Sequence, residues 1–129
     1  CYNTALKYSL ERIQFGKPIA AKQLQQKKLA EMLTEITKAQ LLSWKLGKLK
    51  NEDKATSAQI SLAKRNNCKM ARDVARTCRE ILGGNGIMED YSPMRHMTNI
   101  ETVFTYEGTH EMHSLILGQS VTGIAAYDS

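Results

Sequence analysis

One carboxylate, Glu107, stands where a general base for proton abstraction could act. It precedes Gly108 in the segment TYEGTHEMH, residues 105–113, just ahead of the last predicted helix. A carboxylate on such a turn can project from the end of a helical bundle instead of lying along a helix face. A bound apolar substrate would then remove water from it and make it a stronger base. The position equally fits a carboxylate that interacts with the positive end of the following helix.

A second candidate site is the cation Arg12, at the end of the first predicted helix. Phe15, Gly16 and Pro18 follow it, and glycine and proline break a helix. A guanidinium beside such a turn suits phosphate oxygens, because its donors form a planar fork. The alternative interpretation is an arginine that complements the negative end of its own helix.

A third candidate is the glycine-rich segment EILGGNGI, residues 80–87. Glycine lets a ligand approach the backbone, and exposed N–H groups can bind anions. The segment is not a dinucleotide-binding fingerprint, because no strand precedes it and its spacing differs from G-x-G-x-x-G. A helix end followed by a turn is the alternative interpretation.

A metal site is a competing hypothesis, because Glu107 and His110 have the Glu-x-x-His spacing that helical bundles use for di-iron centres. Such a centre needs a second Glu-x-x-His on another helix. Neither His96 nor His113 has a glutamate three residues before it. We therefore expect no metal site, and we expect His110 and His113 to be surface or packing residues.

The composition indicates one soluble, helical domain. The chain has 129 residues, of which 42% are hydrophobic and 24% charged, with a net charge of +5. That charge fits a solvated surface or an anionic partner such as a nucleotide or a CoA phosphate. The sequence contains no run of about 18 apolar residues, so no membrane span is expected. Aromatic residues are only 6%, too few for the stacking surfaces of nucleic-acid binding.

The cysteines are expected to be free thiols. Cys68 and Cys78 lie on one predicted helix, about 15 Å apart at about 1.5 Å per residue, beyond the reach of a disulfide. This geometry and the odd count of three indicate a reducing compartment, with the thiols acting as small core hydrophobes. The chain opens on Cys1 and not on methionine, so we expect a fragment of something longer.

Apolar residues spaced three and four apart predict three long helices over residues 20–49, 54–82 and 109–127, with short helices at 1–12 and 94–99. Short links between them predict an all-α, antiparallel, up-and-down four-helix bundle. Helices of roughly 45 Å imply partners along the bundle. The predicted core stripe of the two longest helices comprises Leu29, Met32, Leu33, Ile36, Ala39, Leu42, Leu46 and Leu49, then Ile60, Ala63, Ala71, Val74, Cys78 and Leu82.

The three candidate segments, in this order, resemble the C-terminal domain of acyl-CoA dehydrogenases. The pattern is Arg-x-x-Phe-Gly-x-Pro from Arg12, a long helix pair, Gly-Gly-Asn-Gly from Gly83, and Tyr-Glu-Gly-Thr from Tyr106. The resemblance covers essentially the whole chain. The stretch TYEGTHEMHSLILG, residues 105–118, is most similar to the glutaryl-CoA dehydrogenases of this family.

The resemblance implies a role for each segment in a three-domain FAD enzyme, of which residues 1–129 are the C-terminal helical domain. Glu107 would abstract the proton α to the thioester, and Gly108 would lie beside the acyl group. The ADP end of each FAD would meet a neighbouring subunit. The implied FAD contacts are Arg12, Gln23, Glu80, Ile81, Leu82, Gly83, Gly84, Thr109 and Tyr127. Many straight-chain members carry glutamine where this chain has Glu80, so the role of that side chain stays open.

The implied substrate is an acyl-CoA, with glutaryl-CoA oxidised and decarboxylated to crotonyl-CoA. An electron-transfer flavoprotein would be the acceptor, in a homotetramer located in the mitochondrial matrix of a eukaryote or the cytoplasm of a bacterium. Two alternatives stay open. One is the same fold acting on another short or branched acyl-CoA, and the other is a non-catalytic helical bundle that mediates assembly.

Overall fold

The protein is described by a computed structural model of residues 1–127. Within that range the chain forms five α-helices, a two-stranded hairpin, and single 3₁₀ turns at Ile19–Ala21 and Gly83–Ile87. The helices are α1 (Tyr2–Glu11), α2 (Gln23–Asn51), α3 (Ser57–Ile81), α4 (Ser92–Thr105) and α5 (His110–Thr122), and the hairpin is β1 (Ile13–Gln14) with β2 (Lys17–Pro18). The predicted all-α bundle is confirmed.

Helix α3 is the centre of the bundle, because each of the other four helices packs against it. It runs antiparallel to α2, since Asn67 contacts Ala39 while Cys78, further along α3, contacts Met32, which is earlier on α2. The interface buries a thiol and a thioether, with Cys78 Sγ 3.5 Å from Met32 Sδ. Burial raises the pKa of the Cys78 thiol to about 11, so this group stays protonated and packs as a small hydrophobe.

The core lies where α1, α2 and the C-terminal half of α3 meet. The predicted burial of two residues in the core stripe is wrong, because Leu33 is 52% exposed and Ile60 is 40% exposed. Both residues lie near the edge of an apolar face, where a small rotation of the helix leaves a side chain outside the contact. The clustered core residues are Ala5, Ile19, Leu29, Met32, Val74, Cys78, Ile81 and Leu82.

Local side-chain chemistry sets the helix ends. The hydroxyl of Thr56 accepts from the Gln59 amide at 3.3 Å, and the Gln59 side chain accepts from the Thr56 amide at 2.9 Å. This capping box starts α3 at Ser57, three residues after the predicted start. Gly123, with φ 73°, ends α5 at Thr122, so the predicted extension to Tyr127 is wrong.

Helix α4 is longer than the predicted short helix at 94–99. It covers the whole of Ser92–Thr105, with Pro93 in its first turn, where a missing N–H costs nothing. It packs along α3, and such tertiary packing stabilises helices that are marginal alone. Arg72 Nε also donates to Glu101 Oε1 at 2.8 Å across that interface. The end of α4 therefore delivers the chain directly to residues 106–109.

The hairpin turns the chain back after α1. Phe15 and Gly16 take positive φ values of 53° and 74° between β1 and β2, which confirms the predicted helix break. The Ile19 amide donates to the Arg12 carbonyl at 2.9 Å. This bond fixes Arg12 at the junction of α1 and the hairpin.

None of the helices within residues 1–127 combines the length and hydrophobicity needed to cross a bilayer. No group of three or more histidine, cysteine or carboxylate side chains in this range is arranged to hold a metal ion. The three cysteines are free thiols, as predicted.

Candidate active-site turn and cofactor cleft

Glu107 lies on a tight turn between α4 and α5, outside both helices. Its φ of 57° and the φ of 94° at Gly108 are both in the left-handed region. The Glu107 side chain is exposed. Thr109, and not Glu107, caps α5, because its hydroxyl accepts from the Met112 amide at 3.2 Å. The acidic residue in the first turn of α5 is Glu111, so helix capping does not account for Glu107.

Position 108 requires glycine for two reasons, its positive φ and the closeness of the His113 side chain. A Cβ there would lie 2.9 Å from Nε2 of His113, closer than real Cβ contacts allow. His113 is 7% exposed and lies beneath the turn, and neither of its ring nitrogens has a hydrogen-bond partner within residues 1–127. The prediction that His113 is a packing residue is thus consistent with its burial.

Lys64 contacts the backbone of the turn. Its Nζ donates to the carbonyl oxygen of Tyr106 at 2.5 Å and also to the carbonyl oxygen of Gly108. These two residues flank Glu107. Sequence reasoning missed Lys64, because a lysine on a basic helix is indistinguishable from a solvated one until its backbone partners are known.

His110 belongs to an aromatic stack behind the turn. Its ring is stacked on Phe104 with centroids 4.9 Å apart, and the Arg72 guanidinium lies 4.6 Å from the Phe104 centroid. Burial lowers the pKa of His110, and the nearby Arg65 guanidinium lowers it further. His110 is therefore neutral near pH 7, and its stacking on Phe104 agrees with the prediction of a surface or packing residue.

Arg12 and the glycine-rich segment line one cleft. The cleft has a volume of about 300 Å³, and Arg12 forms no ion pair with any carboxylate in the described part of the chain. Asn85 Nδ2 donates to Tyr8 Oη at 3.0 Å across its floor. The lining residues are Tyr8, Arg12, Gln14, Ile19, Ile81, Leu82, Gly83, Gly84 and Asn85.

The backbone of the glycine turn can face a ligand in this cleft. Gly83 has φ 59°, and both Gly83 and Gly84 are exposed with open space where a Cβ would be. Ile81 and Leu82 are 4% and 1% exposed, so their side chains belong to the core. A guanidinium with no ion pair among the described residues, beside two exposed glycines, is suited to bind an anionic group such as a phosphate.

Three predicted site residues lie outside these two arrangements. The Glu80 carboxylate points to α2, where Lys28 Nζ is 3.4 Å from its Oε2. Gln23 is the exposed first residue of α2 and does not line the cleft. Tyr127 lies beyond α5, and its hydroxyl donates to Gln119 Oε1 at 3.3 Å.

The turn and the cleft lie at opposite ends of α3. Lys64 contacts the turn, whereas Ile81 lines the cleft, and roughly 25 Å of helix separates them at about 1.5 Å per residue. One chain therefore presents a carboxylate at one end and a cationic cleft at the other.

Known proteins of one family match this chain. A family profile described as "Acyl-CoA dehydrogenase, C-terminal domain" matches residues 1–122. Among curated proteins, the short-chain specific acyl-CoA dehydrogenase of Megasphaera elsdenii is 36% identical over 88% of this chain and 30% of its own length.

Solved structures of glutaryl-CoA dehydrogenases also match this chain. Glutaryl-CoA dehydrogenase from Mycobacterium smegmatis is 48% identical with a TM-score of 0.98, over 99% of this chain and 33% of its own. A structure of a glutaryl-CoA dehydrogenase from the same organism in complex with FADH2 is 46% identical with a TM-score of 0.96, over 98% of this chain and 33% of its own. The chain thus spans about a third of the length of these relatives. It belongs to the acyl-CoA dehydrogenase family, whose C-terminal domain its residues 1–122 match.

Proposed function

We propose that this chain is the C-terminal domain of a three-domain, FAD-dependent acyl-CoA dehydrogenase in which Glu107 is the base. The observation that carries the proposal is the left-handed turn at Glu107 and Gly108, which holds an exposed carboxylate outside both neighbouring helices. Membership of the family supports it, as does the cationic cleft at Arg12.

The chemistry assigned to this chain is proton abstraction. Glu107 accepts the proton α to the thioester carbonyl on a carboxylate oxygen, with Gly108 beside the acyl group. FAD, when bound, supplies the acceptor for the β-hydride. Exclusion of water by substrate strengthens the base, and a positioned base contributes about 10²- to 10⁴-fold. Thr109 keeps its own hydroxyl proton free to donate toward the cofactor, since its oxygen accepts from Met112.

The distance between the turn and the cleft supports a site shared by two subunits. Glu107 and Thr109 would serve one FAD, while Arg12, Gly83 and Gly84 of the same chain would hold the ADP end of the neighbour's. In this arrangement Ile81 and Leu82 contribute backbone groups only, because both side chains are in the core. Exposed apolar residues on α2, with Leu41 at 60% and Trp44 at 59%, support assembly into the proposed homotetramer.

Subunit mixing tests the shared site. Arg12→Ala subunits keep the base, and Glu107→Gln subunits keep the guanidinium. If the two residues serve different FADs, random pairing of equal amounts of the two variants leaves about a quarter of the sites with both residues intact. Dehydrogenase activity that never exceeds the sum of the two separate variants would show that both residues serve one FAD within a subunit.

The substrate we propose is glutaryl-CoA, oxidised and then decarboxylated to crotonyl-CoA. The 46–48% identity to the two glutaryl-CoA dehydrogenase structures supports it. A second candidate is a short straight-chain acyl-CoA, which the 36% identity to the Megasphaera enzyme favours.

A substrate comparison separates the two candidates. The full-length protein should bleach its flavin absorbance with glutaryl-CoA, release CO₂ and pass electrons to an electron-transfer flavoprotein. Turnover of butyryl-CoA without reaction of glutaryl-CoA would select the second candidate. Lack of flavin in the full-length protein would favour the non-catalytic assembly module. The compartment implied is the mitochondrial matrix in a eukaryote or the cytoplasm in a bacterium.

A further inference from the structure

We propose that Lys64 is a positioning residue for the base: it holds the Tyr106–Gly108 turn in the conformation that aims the Glu107 carboxylate at the substrate. This inference rests on the proposed function of Glu107. It concerns a residue on α3, far along the sequence from the turn that it contacts.

The contacts of Lys64 are specific to this turn. Its single ammonium group donates to the carbonyl oxygens of both Tyr106 and Gly108, the two residues that flank Glu107. The same Nζ lies 5.9 Å from the centroid of the Tyr106 ring. Within the described residues it has no carboxylate within 4.0 Å, so the turn carbonyls are its main partners.

Helix α3 provides a rigid base for this contact. Ser61 and Ala63, three residues and one residue before Lys64, are 4% and 5% exposed, so this stretch of the helix is anchored in the bundle. The backbone of Lys64 is therefore fixed, and its half-buried side chain reaches outward to the turn. A charged donor shared by two carbonyl groups forms stronger bonds than a neutral one.

The turn needs such a contact because its conformation is unfavourable. Glu107 has a side chain and a φ of 57°, and this left-handed conformation is sterically costly for an L-residue. His113 blocks the turn from one side, and Lys64 bonds to its carbonyl groups from another. Without the ammonium group, Glu107 can relax toward ordinary φ values, and its carboxylate turns away from the α-carbon.

The experiment compares Lys64→Met with Lys64→Arg in the full-length holoenzyme. Lys64→Met keeps most of the side-chain volume but removes both bonds. We expect it to retain FAD and a near-normal KM while kcat falls about 10- to 100-fold, the size of effect that a misplacement near 1 Å produces. Lys64→Arg should recover part of kcat, since a guanidinium can still donate to a carbonyl.

Lys54→Met is the matched control. Lys54 is an exposed lysine in the link before α3, paired at 3.0 Å with Glu52, and this variant should behave as wild type. A Lys64→Met enzyme with kcat within twofold of wild type would overturn the proposal. So would a loss of FAD and of thermal stability in step with activity in both Lys64 variants, which would indicate a structural role only. A wild-type holoenzyme that oxidises no acyl-CoA would refute the proposed function itself, a distinct result.

Discussion

An alanine at position 108 would place a methyl group 2.9 Å from Nε2 and 3.2 Å from Cε1 of His113. It would also have to adopt a φ near 94°, which costs an L-residue roughly 1–2 kcal/mol. Displacing the buried His113 ring adds overpacking of about 1–3 kcal/mol. The free energy of unfolding should therefore fall by about 2–5 kcal/mol if the turn stays where it is.

If the turn moves instead, the cost appears in catalysis. A shift of about 1 Å in Glu107 lowers the rate by about 100-fold, so Gly108→Ala loses stability, activity or part of each. The assay combines the thermal midpoint of the full-length holoenzyme with its rate of anaerobic flavin reduction by acyl-CoA. Gly47→Ala is the control. That glycine lies within α2 with nothing within 4 Å of the place that an alanine methyl group would take, and alanine there should stabilise the helix by about 0.5–1 kcal/mol.

A double variant separates the contact from the strain. Combining Gly108→Ala with His113→Ala removes the clash but leaves the unfavourable φ. The double variant should then be more stable than the sum of the two single effects predicts, by about 1 kcal/mol. Wild-type stability and rate in Gly108→Ala, or strict additivity with His113→Ala, would refute the reasoning.

Three further predictions concern the cofactor, the pH dependence and the core. Arg12→Ala should lower FAD retention after dialysis more than Arg12→Lys does, because lysine keeps the charge but not the fork; equal FAD content in both variants and wild type would contradict the contact. Because burial lowers the pKa of His110 below its usual 6.5, this residue's contribution to the free energy of unfolding is fully present above about pH 6.5 and is lost as the pH falls through the folded-state pKa. The decrease in urea midpoint between about pH 7.5 and pH 5 should therefore be smaller in His110→Gln than in wild type. An equal decrease in the two proteins would contradict this prediction. Leu82→Ala should lower the free energy of unfolding by about 2–5 kcal/mol, measured by urea denaturation, since Leu82 is 1% exposed; a loss below about 1 kcal/mol would mean that the core can close around the cavity.

The sequence predicts the bundle well because its two longest helices are strongly periodic. It under-predicts α4, because Thr98, Asn99 and Thr102 are weak helix formers and packing on α3 stabilises them. It over-predicts the end of α5, because the apolar Ile124 lies beyond Gly123, where a left-handed conformation stops the helix. Tertiary contacts and caps, unlike periodicity, are weak signals in a single sequence.

Much of the candidate site is also predictable, since motifs mark it. The sequence alone singles out Arg12, Gly83 and Gly84, and the structure brings them into one cleft. It does not single out Lys64, because this residue lies on α3 beside Arg65 and its partners are backbone carbonyl groups more than 40 positions away. The roles of Gln23 and Tyr127 stay predictions.

The most direct test of Glu107 as the base is anaerobic flavin reduction in the full-length Glu107→Gln variant. Glutamine keeps the shape of the side chain but cannot accept the α-proton. We expect normal FAD content and acyl-CoA binding, with flavin reduction slowed by about 10²- to 10⁴-fold, the contribution of a positioned base. A reduction rate close to that of the wild-type protein would contradict the assignment.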